Sequence, residues 1–222
     1  MGKTILSKNQ RDILHALGQE SLIRGSFYLT GGTALAEYYL QHRLSKDLDF
    51  FSDQEVDSAV IFSVFKKIQR RVSIMSIDYQ QSFNRNLFFL QMKDGDVVKT
   101  EFTYFPFPRI EPLDSKDVVA IDSLMDIAVN KLFTIYQKPR SRDFIDLYYI
   151  LKKNSSWSVL SLLKKAKVKF DWHVDPVQLG GQFLQATVIK DYPRMIKKIS
   201  PETWQRFFLR EAKKLEKDIF SS

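Results

Sequence analysis

The chain has 222 residues, 44% hydrophobic and 27% charged, which is ordinary for a soluble globular protein and enough for one domain or two small ones. It contains no cysteine, which excludes disulfides and thiolate metal sites, and no apolar run approaches the length of a membrane span. The formal net charge of +8 favours polyanionic partners but fixes neither a fold nor a ligand.

In chain order, Ser7 to Gln19 shows helical spacing at Ile13, Leu14 and Leu17. Phe27 to Thr30 reads as a strand, Thr33 to Gln41 as a helix and Asp47 to Phe51 as a second strand. Asp57 can cap a helix that runs through Ala59, Phe62, Phe65 and Ile68. Extended runs follow over 72–79, 86–92 and 97–105, the last two joined by Lys93-Asp94-Gly95-Asp96, a hairpin signal. Pro106 to Pro112 breaks the pattern and is the expected boundary, with one domain over 1–110 and a helical one over 111–222.

Beyond it, helices are expected over 122–136, 142–152, 158–167 and 176–186, with Ser200-Pro201 opening a long basic helix to Ile219. Gly180-Gly181, inside an apolar helical stretch, is expected to mark close packing or a kink. The fold class is therefore α+β, a mixed sheet flanked by helices and then a helical region. The opening Met1 to Ser7 carries no apolar signal core, so a cytoplasmic protein with no membrane partner is expected.

The chemistry concentrates in Tyr28-Leu29-Thr30-Gly31-Gly32-Thr33 and in Ser45-Lys46-Asp47-Leu48-Asp49-Phe50. A strand ending in a double-glycine turn that opens a helix can cradle phosphate, although such turns also occur wherever the chain needs positive φ. Alternate strand residues share a face, so Asp47 and Asp49 project together while Leu48 and Phe50 enter the core. Like charges held this close repel unless a cation lies between them, which suits a divalent metal and a nucleoside triphosphate. The Ser45 hydroxyl, on the same face, can bond a phosphate or serve only the turn. His15, His42 and His173 have no metal-ligand spacing.

The order Gly-Gly-Thr-Ala-Leu, then His42-Arg43-x-Ser45-x-Asp47-x-Asp49-Phe-Phe, with Lys131 and Arg142-Asp143-x-x-Asp146-Leu147-Tyr148 downstream, resembles the AbiEii-type toxins, a branch of the polymerase-beta-like nucleotidyltransferases. The resemblance spans the chain to about Leu151. It implies a two-metal transfer of a nucleotidyl group from a triphosphate to a hydroxyl, with Asp47, Asp49 and Glu101 holding two Mg2+ (or Mn2+) ions. It further implies phosphate contacts from Gly31, Gly32, Thr33, Ser45, Lys131 and Arg142, with Asp146 orienting Lys131, a helical half that closes the nucleotide cleft, and self-phosphorylation at Ser45 as a silencing step. The expected partners are an RNA acceptor, at family level the tRNA 3′ end, and a winged-helix antitoxin.

On the residues alone, Glu101 reads equally well as an edge-strand glutamate, and Lys131 with the Arg142–Asp146 group as salt bridges between helices. The basic runs Lys164-Lys165-x-Lys167-x-Lys169, Lys197-Lys198 and Arg210 to Lys217 are either solvated faces or a track for RNA. A catalytically silent nucleotide-binding module and an antibiotic-modifying nucleotidyltransferase remain as alternatives; the basic charge suits a cationic antibiotic poorly.

Overall fold

The computed structural model describes residues 4–55, 57–115 and 117–220, with side chains described as far as Glu216. Two compact units result, one formed by 1–107 with 112–123 and the other by 108–111 with 124–222.

The first unit begins with helix α1 (Lys8–Gly18), whose Ser7 cap and Gln10 exchange hydrogen bonds in a capping box. The Gln10 side-chain amide also donates to the Ser45 carbonyl at 3.0 Å and so anchors the segment that leads into the carboxylate strand. A short helix α2 (Ser21–Ser26), which the sequence pattern does not announce, precedes strand β1 (Tyr28–Thr30). Helix α3 (Gly31–Ala34) starts at once from β1 and runs on into a π-helical segment, Leu35–Leu40. Gln41, in the left-handed region at φ 49°, ends it by donating its amide to the Ala36 carbonyl. Such widened turns are rare and shift side-chain directions on one face of a helix.

Strand β2 (Asp47–Ser52) alternates half-buried and buried positions, as the pattern of Asp47, Asp49 and Phe51 against Leu48 and Phe50 requires. Helix α4 (Ser58–Ile68), capped by Asp57, leads to strands β3 (Ile74–Ser82), β4 (Arg85–Met92) and β5 (Val97–Tyr104). The six-stranded mixed sheet has the order β3-β4-β5-β2-β1-β6. One face is an aromatic core: Phe50 stacks on Phe102 at 4.9 Å between centroids, and Phe65 of α4 meets Phe88 at 5.1 Å.

The last strand was not evident in the sequence. After the Pro-rich segment the chain returns to the first unit, where β6 (Ala120–Ile121) pairs in parallel with β1. Just past it the Asp122 amide donates to the Leu29 carbonyl, and the Thr30 hydroxyl donates to the Asp122 carboxylate at 2.5 Å.

The second unit contains helices α5 (Leu124–Gln137), α6 (Ser141–Lys153), α7 (Val159–Phe170), α8 (Pro176–Leu184) and α9 (Pro201–Phe220). Its core holds Phe144, Phe183, Trp204 and Phe208, all fully buried, with Phe144 and Phe208 at 4.8 Å. Two expectations fail here. A Cβ at Gly180 or Gly181 would meet nothing within 4 Å, so this pair does not mark close packing. Lys169 is not part of a solvated basic face: it is buried, with its ammonium 2.5 Å from the buried Asp126 carboxylate, which also accepts the amides of Ile110 and Glu111. Asp126 and Lys169 thus tie α5, α7 and the 108–111 segment together. No helix among the described residues is long and apolar enough to cross a membrane.

Candidate active site

The face of the sheet opposite the aromatic core carries the charged residues. β2 and β5 run parallel with Asp47 opposite Lys99 and Asp49 opposite Glu101, and β4 lies beyond with Arg85 opposite Thr103. Directly paired residues point to the same face, so this register alone brings three carboxylates and two cations together. The Glu101 carboxylate accepts two bonds from the Arg85 guanidinium, both at 2.6 Å, and one from the Thr103 hydroxyl at 3.0 Å. The Lys99 ammonium lies 3.4 Å from Asp47 Oδ2 and 3.5 Å from Glu101 Oε2. Burial pushes the Glu101 carboxyl up, but the bonds and charge of Arg85, with Lys99 and Thr103, outweigh it and hold the carboxyl below the usual range.

The glycines set the distance between the helix and this strand. Gly31 has φ 70°, and a Cβ there would lie 2.6 Å from Asp49 Oδ2. A Cβ at Gly32 would collide with the Arg43 guanidinium and lie 3.1 Å from Ser45 Oγ. The buried Arg43 therefore fills the space that glycine leaves, and Ser45 sits beside it. Thr33 is fully buried, its hydroxyl donating to the Asp47 carbonyl. It clamps α3 to β2, so its side chain faces the fold.

The start of α3 is uncapped. Thr30 occupies the N-cap position, yet its side chain makes no capping bond, because the hydroxyl is turned to Asp122. The first amides of a helix have no acceptor within the helix. At this helix start the bare Gly31 backbone passes close to Asp49, and a helix start built on glycine can accept a phosphate.

Asp47 and Asp49 suit a divalent cation as hard oxygen ligands one residue apart on one face. Glu101, expected as a third ligand, is turned to Arg85. Among the described residues no three His, Asp or Glu side chains converge so as to hold one ion, which agrees with the engagement of Glu101 by Arg85.

In the helical unit, Lys131 is nearly buried, and its ammonium lies 2.8 Å from both Asp143 Oδ1 and Asp146 Oδ2, two fully buried carboxylates on α6. Burial raises the Asp143 carboxyl, and the charges of Lys131 and Arg140 overcome it and hold it below the usual range. Arg142, expected at the nucleotide, is half-buried on α6; the guanidinium that reaches Asp143 is that of Arg140, two residues earlier, at 2.8 Å. Arg85 and Lys99 were also missed. Lys99 could have been found from its spacing, since it shares a strand face with Glu101; Arg85 could not, because only the hairpin register brings it there.

Residues 12–217 match the family described as nucleotidyl transferase AbiEii toxin, type IV toxin–antitoxin system. The chain is 32% identical over 169 residues to an uncharacterized protein of Aquifex aeolicus (strain VF5), aq_aa25, covering 74% of this chain and 76% of that one. Among solved structures it resembles JHP933 from Helicobacter pylori, with a TM-score of 0.62 and 22% identity over 96% of this chain and 93% of that one. It also resembles a putative nucleotidyltransferase from H. pylori, with a TM-score of 0.59 and 19% identity over 97% and 98% of the two chains. The structural likenesses show the fold, and the match across nearly the whole sequence shows the lineage. The chain belongs to the AbiEii family of nucleotidyl transferase toxins.

Proposed function

We propose that this nucleotidyltransferase moves a nucleotidyl group from a nucleoside triphosphate to a hydroxyl of RNA, releases pyrophosphate, and depends on a divalent metal. The observation that carries this reading is the Gly31 turn, where the bare backbone that opens α3 passes close to Asp49 of the Asp47–Asp49 carboxylate face. The acceptor hydroxyl forms a bond from its oxygen to the α-phosphorus and loses its proton to solvent, as the bond from that phosphorus to the bridging oxygen of pyrophosphate breaks.

The Gly31 and Gly32 amides donate to phosphate oxygens, with the Ser45 hydroxyl as a further donor. Asp47 and Asp49 would hold the metal. When bound, such an ion supplies positive charge to phosphate oxygens and lowers the pKa of a coordinated hydroxyl. Lys131 is a further residue of the family pattern, its ammonium fixed by Asp146 and Asp143 within the helical unit. The net charge of +8 supports a polyanionic acceptor, and the family supports the tRNA 3′ end together with a winged-helix antitoxin as partner.

The test incubates the purified protein with each labelled triphosphate in turn, Mg2+ and total RNA. Label is expected in RNA from at least one triphosphate, and none with Asp47→Asn or Asp49→Asn. Absence of label from every RNA, or its equal appearance with both variants, overturns the proposal.

A further inference from the structure

The carboxylate face does not end at Glu101. Beyond it, β4 sets Leu87 opposite Glu101 and Phe89 opposite Lys99, and β3 in turn sets Gln80 opposite Leu87 and Asp78 opposite Phe89. Paired residues share a face, so an apolar strip continues the rows of Asp47 and Asp49. Leu87 and Phe89 are half-buried, Val97, two residues before Lys99 on β5, is 45% exposed, and Gln80 and Asp78 are exposed. This end of the face is open. Phe88, one residue earlier, packs against Phe65 and Phe102 in the core, whereas Phe89 meets no other ring among the described residues. A half-open phenyl ring without an aromatic partner is a surface on which a nucleobase stacks.

Direction decides whose base it is. Helix α3 starts straight from β1, whose Thr30 pairs with Asp49, and Gly31 passes close to Asp49 from that side. A pyrophosphate group held at this helix start lies on the β1 side of the carboxylates. Phe89 lies on the other side, two strand spacings of about 4.8 Å each from Asp47. In phosphoryl transfer the attacking and leaving oxygens stand roughly in line across the phosphorus, so the acceptor approaches from the side of Phe89. We propose that Phe89, with Leu87 and Val97 around it, stacks the terminal base of the RNA acceptor and so presents its hydroxyl at Asp47 and Asp49. The inference rests on the transfer proposed above and names its acceptor subsite. The exposed Asp78 carboxylate opposite Phe89 repels a phosphate and leaves room for an uncharged base.

The test measures binding of the full chain, without triphosphate, to a short fluorescein-labelled single-stranded RNA and to the same RNA with an abasic 3′-terminal ribose, which keeps its hydroxyls. Wild type is expected to bind the abasic form about tenfold more weakly. Phe89→Leu, which keeps apolar bulk and loses the ring, is expected to bind both forms equally, and Phe89→Tyr to restore the difference. In the labelling assay Phe89→Leu is expected to raise the KM for RNA about tenfold and to leave the KM for the triphosphate unchanged. Circular dichroism on each variant shows that the fold is retained, and Phe89→Met replaces Phe89→Leu if that variant does not fold. A difference that persists without the ring, or its absence from wild type, overturns the subsite while the transfer reading stands. A raised KM for the triphosphate alone puts the other base on Phe89 and overturns it too. No label in RNA with wild type overturns the transfer reading and the inference with it.

Discussion

Gly31 and Asp49 approach so closely that a methyl group on the glycine would stand 2.6 Å from the carboxylate Oδ2. The helix start and the carboxylate strand are therefore held at a separation that only a bare backbone permits. Gly31→Ala meets two costs, the strain of φ 70° and the collision with Asp49, and is expected to lose about 2 kcal/mol of stability. Transfer activity is expected to fall with it. The control is Gly25→Ala in α2, where a Cβ meets nothing within 4 Å and alanine favours the helix. Urea unfolding of both variants separates the site effect from glycine replacement in general.

Asp47→Asn and Asp49→Asn are expected to reduce transfer by about a hundredfold or more, since a neutral amide removes the charge proposed to hold the metal. The far-ultraviolet spectrum should be unchanged, because both side chains are only half-buried and the strand alternation is kept. Either variant retaining full transfer in the labelling assay removes that residue from the site.

Acid is expected to weaken the helical unit through Asp143. Its folded pKa lies below the ordinary value, so its ion pairs stabilise fully above the unfolded pKa of about 4 and are lost as pH falls through the folded value. Asp143→Asn leaves Arg140 without this carboxylate and Lys131 with Asp146, and is expected to cost about 3 kcal/mol at neutral pH. Its stability should then depend less on pH below about 4 than that of wild type. Thermal unfolding across this range checks both statements.

The β3–β4 hairpin turns on two residues, Phe83 and Asn84, and Phe83 stands at φ 53° with 95% of its surface exposed. A bulky side chain in the left-handed region is strained, and here no burial offsets the strain. Phe83→Gly is expected to raise stability by about 1 kcal/mol, read as a higher urea midpoint. No gain, or a loss, shows that Phe83 is held by something other than the turn.

The basic run on α7 divides into two kinds of lysine. Lys164 and Lys167 are exposed, and if they contact RNA phosphates their joint replacement by Gln should flatten the salt dependence of RNA binding by roughly one unit of slope per contact. Lys169→Gln should act on stability instead, because it breaks the buried pair with Asp126. An unchanged salt slope in the double variant removes α7 from any RNA track. Lys217, in the other run, lies outside the described side chains.

The elements that follow from local period and turn chemistry were readable in the chain: the alternation of Asp47 and Asp49 against Leu48 and Phe50, the Gly31-Gly32 turn, and the hairpin at Gly95. Features set by tertiary pairing were not. β6 is two residues long and has no pattern of its own, so only its parallel pairing with β1 defines it. Lys169 looks like its neighbours in sequence and is separated from them only by the carboxylate of Asp126. Arg85 reaches its carboxylate through hairpin register, which composition does not encode.

The return of the chain to β6 bears on how the protein is made. The sheet that carries Asp47 and Asp49 acquires its last strand, and Thr30 its bond to Asp122, from residues that follow the 108–111 segment of the other unit. During synthesis, domains fold largely in the order in which they emerge, at about 5–20 residues per second. Here a nascent chain cut short at Phe107 would contain both aspartates and both glycines and still lack the edge that completes β1. The stretch through Asp122 must leave the ribosome before this sheet can gain its last strand. A fragment expressed for study would fold around this layer only if it too ran past that point.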